Sequence, residues 1–358
     1  MSSDDARVEL GPAPRIAVVK LGALGDVVYA FPLVTALKGR WPGARVTWIV
    51  EARLADLPRL HPGVDAVVTV DTRGWRAALR RGGWRAAWRE FRAFQRSVDG
   101  RFDAAVDAQG LVKSGVVAWL TRAPIRVGFA AQDCRERLNA SFMTHHAARV
   151  GPVHAVVKNR GLAAVLGAES ATARFEIRPG TDDEAWADAW LERHAPGRPA
   201  RLITLHPGAG HPGKRWPLDR WVALADRLGD RGWRVVLVAG PDERDAVTAT
   251  ALVATPPTVG ALAALLRRAE IVVGGDTGPV HLAAALGRRI VGLYGPSDPA
   301  TAAPVGAGHR LIKHPCACGW TPGPTFNRRC PERFACMRAI EVEEAADAVE
   351  KQLAGQHA

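Results

Sequence analysis

Short apolar runs separated by polar, glycine-bearing loops recur along the chain. The first run, at 15–21, is rich in β-branched residues; a loop with two glycines follows at 22–26, and then an apolar pattern of helical spacing at 27–38. Further strand-like runs lie at 46–51, 66–71 and 102–110, with helical stretches between them. Because strands alternate with helices, the pattern predicts βαβ units and a parallel sheet.

The same alternation starts again at Arg201. Strands are predicted at 201–208, 233–241, 271–276 and 289–296, and helices at 218–232, 243–254 and 279–287. Between the two series, the polar, proline-bearing residues 175–200 predict a linker that carries one helix. The sequence therefore predicts an α/β protein with two Rossmann-like domains, 1–178 and 179–358. The crevice at the carboxyl ends of their strands is the expected ligand site.

Length and composition agree with two domains in a reducing compartment. A chain of 358 residues exceeds what one hydrophobic core organises, and 47% of its residues are apolar. No apolar stretch of about 18 residues appears, and the first 15 residues show no apolar signal segment. The five cysteines are an odd number, which suits reduced thiols better than a disulfide framework. We therefore expect a soluble, cytoplasmic protein.

The net charge of +12 is concentrated in the first half of the chain. Residues 1–178 contain 27 Lys and Arg against 16 Asp and Glu, an excess of 11, whereas residues 179–358 have an excess of 1. A one-sided positive field attracts anionic partners, which include nucleic acid, anionic lipid and phosphorylated glycans. Composition alone does not distinguish among these three kinds of partner.

The first glycine loop does not have the spacing of a dinucleotide-binding fingerprint. Gly22 and Gly25 stand as GxxG, and no third glycine follows at the required position. Asp26 begins the helix after this loop. It either caps backbone N–H groups of that helix or points into the crevice, and the local sequence leaves both roles open.

The loop after the first strand of the second half has the composition of a phosphate-binding loop. Gly208, Gly210 and Gly213 allow close backbone approach, and Lys214 supplies a point charge. A solvated turn is the alternative interpretation of the same residues.

A helix beginning near residue 277 has the features of an anion site. Asp276 or Thr277 occupies the N-cap, Pro279 lies in the first turn and Gly287 follows the last. The free N–H groups and the dipole of such a helix attract anions. His281, one turn in, is either a buried polar residue or a ligand contact.

Residues 73–101 form a basic, aromatic segment with nine arginines against Glu90 and Asp99. Trp84, Trp88 and Phe91 lie on one helical stripe. The adjoining stripe consists of Arg85, Arg89, Arg92 and Arg96. Two interpretations remain open: a surface helix that packs its aromatic side chains on the sheet, and an interfacial helix that contacts anionic lipid headgroups.

Six segments in order resemble the bacterial lipopolysaccharide heptosyltransferases, which use ADP-heptose and have the GT-B fold. The most specific is VDAQGLVKSG at 106–115, which resembles the heptosyltransferase I branch. The others are GALGDVVYAFP, HPGAGHPGKRWP, GPDERD, GGDTGPVHLAAALG and YGPSDP. The resemblance spans about residues 15–350. It implies two Rossmann-like domains facing each other across a central crevice, with the final helix, 341–354, a candidate to pack back on the N-terminal domain.

The resemblance implies a role for each matching residue. Asp26 matches a general base, and Glu243 matches a glutamate that holds the adenosine ribose, in a stretch one residue shorter than the family's. Further donor contacts are implied for Gly208, Gly210, Lys214, Asp276, Thr277, Gly278 and His281 in the second domain. Contacts with an acidic acceptor are implied for Arg73, Arg76, Lys113 and Arg135 in the first.

The cysteine-rich segment departs from the heptosyltransferase I branch. Cys316, Cys318, Cys330 and Cys336 are candidate ligands for a structural zinc or iron, although their spacing is not a standard zinc pattern. Reduced thiols packed in a loop are the alternative. The segment looks more like other branches of the family, which leaves the acceptor open between the lipopolysaccharide core, another glycan and a protein.

The implied activity is inverting transfer of heptose from ADP-heptose to Kdo (3-deoxy-octulosonate) on lipid A, without a catalytic cofactor. The implied location is the cytoplasm, peripheral on the inner membrane. Two non-enzymatic alternatives are a two-lobed solute-binding protein and a nucleic-acid-binding protein. The lack of a signal segment argues against the first, and the lack of a basic recognition motif argues against the second.

Overall fold

The computed structural model describes residues 8–169, 172–194, 201–240, 252–315 and 334–354, apart from the side chains of Arg76 and Leu79. The chain divides into two compact units, residues 1–178 and 179–358.

The first unit alternates strands and helices. Its strands are β1 (Arg15–Val19), β2 (Arg45–Glu51), β3 (Ala66–Val70), β4 (Ala104–Asp107), β5 (Ile125–Gly128) and β6 (His145–His146). Its helices are α1 (Leu24–Val28), α2 (Phe31–Arg40), α3 (Asp56–Arg59), α4 (Thr72–Arg80), α5 (Trp84–Val98), α6 (Val112–Leu120) and α7 (Ala155–Val165). Short 3₁₀ turns lie at Ala52–Leu54 and Arg137–Phe142.

All six strands pair in parallel, in the order β3-β2-β1-β4-β5-β6. Residues 16–19 of β1 and 104–107 of β4 are wholly buried, as expected of central strands covered on both faces. Strand order reverses between β1 and β4. Ligands of doubly wound sheets bind at such a reversal, beyond the carboxyl ends of the strands.

The second unit repeats this order. Its strands are β7 (Leu202–His206), β8 (Arg234–Val238), β9 (Val253–Ala254), β10 (Ile271–Gly275), β11 (Arg289–Tyr294) and β12 (Arg310–Lys313). Its helices are α8 (Thr181–His194), α9 (Leu218–Asp230), α10 (Val259–Arg268), α11 (Gly278–Ala285), α12 (Pro299–Ala302), α13 (Ala335–Arg338) and α14 (Val342–Ala354), with a 3₁₀ turn at Pro212–Lys214.

The second sheet is also parallel, in the order β12-β11-β10-β7-β8-β9, so its strand order reverses between β7 and β10. A core between the sheet, α9 and α14 contains the buried side chains Trp216, Trp221 and Met337. The final helix thus packs on α9 within its own unit. Its expected contact with the N-terminal domain stays a prediction.

Two expectations from the sequence need correction. The helix predicted at 243–254 is wrong at its end, where Val253–Ala254 pair with β8; residues 241–251 lie outside the described chain. The helix in the predicted linker is the integral helix α8, which packs on α10. Arg268 donates to Glu184 and to Asp188, at 2.6 Å and 2.7 Å.

Candidate functional site

At the reversal point of the first sheet, hydrogen bonds join the loops that follow β1 and β4. The Gly22 N–H donates to Oε1 of Gln109 at 3.2 Å. The buried Lys20 donates through Nζ to the carbonyl of Ala108 at 2.6 Å. Burial lowers the pKa of Lys20, and the nearby charge of Asp26 opposes that shift. The GxxGD and DAQG sequences therefore form one structural unit.

Asp107 holds the DAQG loop from inside the protein. Its buried carboxylate accepts hydrogen bonds from the Gln109 N–H at 2.8 Å, Ser114 Oγ at 2.8 Å and Asn139 Nδ2 at 2.6 Å. Burial raises the pKa of Asp107 and these bonds oppose the rise. The network orients the start of α6, where Lys113 lies.

Asp26 lies at the third position of α1 and makes the capping contact. Its Oδ2 accepts from the Ala23 N–H at 3.2 Å, and Nη2 of Arg135 lies 3.8 Å from the same oxygen. The side chain is 22% exposed, so a ligand can reach it. Capping and proton abstraction are compatible here; the capping contact is observed and the catalytic role stays a prediction.

Three of the four predicted acceptor residues lie near the carboxyl edge of the first sheet. Nζ of Lys113 lies 3.3 Å from Oε1 of the buried Glu51, which ends β2 and also accepts from Thr72 Oγ1. Arg73 is next to Thr72 at the start of α4, and Arg135 pairs with Asp26. The fourth, Arg76, belongs to α4, but its side chain lies outside the described residues.

Arg53 is a basic residue at this edge that the sequence analysis missed. A Cβ at Gly22 would lie 3.7 Å from Nη2 of Arg53, so its guanidinium adjoins the GxxGD loop. Partial burial and then the charge of Arg73 lower the pKa of Arg53, while Glu51 opposes them. Within the described residues, neither Arg53 nor Arg73 has a carboxylate within salt-bridge distance. Two such like charges near one another form a surface suited to an anion.

At the reversal point of the second sheet, Asp276 accepts three side-chain donors. They are Lys214 Nζ, Ser297 Oγ at 2.7 Å and His281 Nε2 at 3.0 Å. Burial alone would raise the pKa of Asp276, but the His281 hydrogen bond and the Lys214 charge together hold it well below its usual range. Residues from three separate predicted motif segments thus meet at one carboxylate.

Glycine makes this meeting sterically possible. A Cβ at Gly275 would lie 3.1 Å from the carbonyl oxygen of Lys214, so a larger residue would push the Lys214 loop away from β10. Gly210 is exposed with open space beside it, and Gly208 is half-buried in the same loop. The loop therefore has room for a ligand on its open side.

The predicted anion site at the start of α11 is present in the backbone. Thr277 is the N-cap in an extended conformation, Gly278 begins the helix and Pro279 follows. The buried Thr277 hydroxyl has no hydrogen-bond partner among the described residues. Since unsatisfied buried polar atoms are uncommon, this hydroxyl and the first N–H groups of α11 are candidate ligand donors.

His206, at the carboxyl end of β7, is a second residue that sequence reasoning missed. It is 6% exposed, and its Nε2 finds no partner in the part of the chain described here. Burial lowers the pKa of His206 to about 4, so the ring is neutral near pH 7. The sequence could have indicated this residue, because His206 is the first residue of the glycine-rich HPGAG segment.

Three of the four candidate metal ligands, Cys316, Cys318 and Cys330, lie outside the described residues. The candidate ribose contact Glu243 also lies outside them. Cys336 is buried and packs beside Gly295, where a Cβ would lie 3.1 Å from its sulfur. In the described ranges, no group of three or more His, Cys, Asp and Glu is arranged to hold a metal ion. The cysteine site stays a prediction.

The basic aromatic segment forms α4 and α5. Trp84 and Trp88 are 59% and 56% exposed, while Phe91 packs against the core and contacts Trp75 edge to face. The predicted stripe is therefore divided, with two tryptophans outside and one phenylalanine inside. No helix in the described ranges is long and apolar enough to cross a bilayer.

Comparison with known proteins gives consistent matches. The family model for glycosyltransferase family 9 (heptosyltransferase) matches residues 91–333. Lipopolysaccharide heptosyltransferase 1 of Pseudomonas aeruginosa is 34% identical over 85% of this chain and 85% of its own length. The Escherichia coli K12 protein of the same name is 31% identical over 84% of this chain and 94% of its own.

Solved structures match as well. The E. coli heptosyltransferase WaaC with ADP has a TM-score of 0.75 and 26% identity, covering 94% of this chain and 99% of WaaC. A family 9 glycosyltransferase from Veillonella parvula has a TM-score of 0.76 at 24% identity, covering 98% and 99% of the two chains. The GT-B fold expected from the sequence is confirmed.

Proposed function

Because the chain belongs to glycosyltransferase family 9, the heptosyltransferases, we propose that it transfers heptose from ADP-heptose to a Kdo residue of the lipopolysaccharide inner core. The membership confirms the resemblance drawn from the six segments. The observation that carries the proposal is the 31–34% identity to proteins named lipopolysaccharide heptosyltransferase 1, over 80–85% of this chain.

The second unit is the proposed donor site. The diphosphate of ADP-heptose would accept hydrogen bonds from the Thr277 hydroxyl and the first N–H groups of α11, where the helix dipole favours anions. Lys214 would add a positive charge beside it. Because Lys214 is held by Asp276, this charge is already positioned when the donor arrives, which lowers the cost of binding.

The first unit is the proposed acceptor site. Arg73, Lys113 and Arg135 would contact the carboxylate of the acidic acceptor sugar, and the adjoining guanidinium of Arg53 extends this surface. Glu51 and Asp107 anchor the elements that carry these groups. The excess of 11 positive charges in residues 1–178 agrees with an anionic partner.

In the proposed reaction, the acceptor hydroxyl attacks the anomeric carbon of heptose and inverts it. The bond from that carbon to the ADP oxygen breaks, and the hydroxyl proton passes to the carboxylate of Asp26. Such general-base assistance contributes roughly 10² to 10⁴ in rate. The leaving diphosphate is stabilised by Lys214 and the N-terminus of α11, so the reaction as proposed uses no cofactor.

A lipid-linked acceptor places the proposed reaction at the cytoplasmic face of the inner membrane. The exposed Trp84 and Trp88 with the neighbouring arginines of α5 support a peripheral contact, since amphipathic aromatic rings and basic groups suit the headgroup region.

The test is incubation of the purified protein with ADP-heptose and Kdo-bearing lipid A, followed by mass spectrometry. The expected result is the addition of one heptose and release of ADP. A matched reaction with lipid A that lacks Kdo is the control, and it should give no product. Transfer to that control, or to a protein instead of the glycan, would contradict the proposed acceptor.

A further inference from the structure

The C-terminal ends of α5 and α6 form a basic groove whose residues are separate in sequence from the GxxGD loop at 22–26. The groove has a volume of about 380 Å³ and is lined by Arg92, Gln95, Arg96, Asp99 and Arg122. Three arginines against one aspartate leave two net positive charges in its lining. None of these residues belongs to the proposed donor or acceptor sites.

The groove is held together by backbone and side-chain contacts. The Gly100 N–H donates to the carbonyl of Thr121 at 3.1 Å, which ties the end of α5 to the end of α6. Arg122 then adopts a left-handed conformation, with φ of 53°, and its Nε lies 3.2 Å from the carboxylate of Asp99. These contacts bring Arg122 beside the end of α5.

The arginines of α5 are also oriented. Nε of Arg96 donates to the carbonyl of Arg92 at 3.3 Å, and the guanidinium of Arg92 lies 5.5 Å from the ring centroid of Trp88. The carbonyl ends of the helices carry partial negative charge, which helps to hold cations in place. The guanidinium groups of Arg92 and Arg96 are thus held near one another although their charges repel.

Each of the two helices also carries an exposed tryptophan close in sequence to a groove arginine. Trp88 lies one turn before Arg92 on α5, and Trp119, near the end of α6, lies three residues before Arg122. They are both 56% exposed. Arginine forks bind phosphate oxygens in pairs, and tryptophan rings favour the interface between water and lipid chains.

We propose that the groove formed by Arg92, Arg96 and Arg122 binds the phosphate of an anionic phospholipid headgroup, with Trp88 and Trp119 resting on the bilayer surface. The positive lining complements the headgroup charge, and the paired tryptophans favour a bilayer over a dissolved phosphate. This inference rests on the proposed membrane location and specifies its chemistry. The groove lies where α5 and α6 lead into β4 and β5, at the amino edge of the sheet, so this contact would anchor the unit by the side opposite its acceptor-binding edge.

The test uses the full chain and vesicles of phosphatidylcholine with or without phosphatidylglycerol. In one variant, the groove arginines Arg92, Arg96 and Arg122 are all changed to Gln. The matched control changes Arg40, Arg45 and Arg149 to Gln, which removes the same charge from exposed positions of the first unit outside α4 and α5. Co-sedimentation measures the partition coefficient, and circular dichroism checks that both variants are folded.

The groove variant is expected to lose at least about tenfold more binding to phosphatidylglycerol vesicles than the control variant. Equal losses would mean that a diffuse positive field attracts the membrane, and the groove proposal would fail. Unchanged binding of the groove variant would also overturn it.

Enzyme kinetics separate this proposal from the proposed function. Both variants should transfer heptose to a Kdo oligosaccharide without lipid chains as fast as the original protein. If the groove variant still binds vesicles but has a higher KM for lipid-linked acceptor, the groove binds a phosphate of the acceptor. The phospholipid assignment is then wrong. If the unmodified protein transfers no heptose, the proposed function fails, whatever the vesicles show.

Discussion

Replacing Asp26 with Asn separates its structural role from its proposed catalytic one. Asn keeps a side-chain oxygen at this third helical position, so the contact with the Ala23 N–H is retained. The ion pair with Arg135 spans 3.8 Å, and Arg135 is 60% exposed, so screening by solvent limits its worth to less than about 1 kcal/mol. The free energy of unfolding should therefore fall by no more than about 1 kcal/mol.

Turnover should fall much further than stability. An amide cannot take the hydroxyl proton at neutral pH, so kcat should drop at least about a hundredfold, which corresponds to roughly 2.7 kcal/mol of barrier. ADP binding, which involves the second unit in this proposal, should not change. The assay is heptose transfer followed by mass spectrometry, with calorimetry for ADP and chemical denaturation for stability.

Two further variants sharpen the interpretation. Asp26→Ala also removes the oxygen that accepts from the Ala23 N–H, so it should lose about 1 kcal/mol more stability than Asp26→Asn at a similar kcat. Arg135→Gln removes the ion pair but leaves the base, so kcat should stay near normal while the KM for acceptor rises, since Arg135 is a proposed acceptor contact. Near-normal turnover of Asp26→Asn would refute the reasoning and leave Asp26 as a helix cap.

Three other predictions follow from the described contacts. Lys214→Met should weaken ADP binding by roughly 1.5 to 3 kcal/mol, about 10- to 150-fold, and unchanged affinity by calorimetry would exclude its diphosphate role. Changing Arg53 and Arg73 together to Gln should raise the KM for acceptor and reduce its salt sensitivity while the donor KM stays constant; equal changes in both KM values would indicate damage to the fold. Burial and then the charges of Arg178 and Lys38 lower the pKa of His61 to about 4, so its stabilising effect is complete above about pH 6.5 and declines as the pH falls toward 4. Denaturation at pH 7.5 and pH 5 should show a loss of roughly 2 kcal/mol that His61→Gln lacks, and equal losses in both proteins would contradict this.

Much of each sheet could be predicted because central parallel strands are continuous apolar runs. β1, β4, β7 and β10 all have this character, and each feeds a loop with glycine or a polar residue. The short strands at the ends of the sheets were missed, among them β6 with two residues and β12, which is mostly exposed. Such strands have too few buried positions to produce a pattern. The buried helix α10 was also missed, since a short apolar run such as 259–266 can be either a buried strand or a helix by its sequence.

The division of the aromatic stripe shows the limit of a periodic pattern. Helical spacing put Trp84, Trp88 and Phe91 on one stripe, but it could not locate the edge of the core. In the folded unit Phe91 reaches the core and both tryptophans stay in solvent. Where a packed surface ends depends on the neighbouring helix, which here is α4 with Trp75.

The sequence alone determined the backbone of the site: two strand–loop–helix units, glycines at close approaches, and a helix N-terminus at Thr277, because these depend on residues near one another in the chain. Tertiary structure decided which side chains meet. Lys214 and Asp276 are 62 residues apart, as are Glu51 and Lys113, and only the parallel sheets bring their loops to a common edge. The groove at Arg122 likewise requires the ends of two helices to be joined. Local patterns determine where a chain turns, whereas the charge surrounding a residue depends on the groups that folding places beside it.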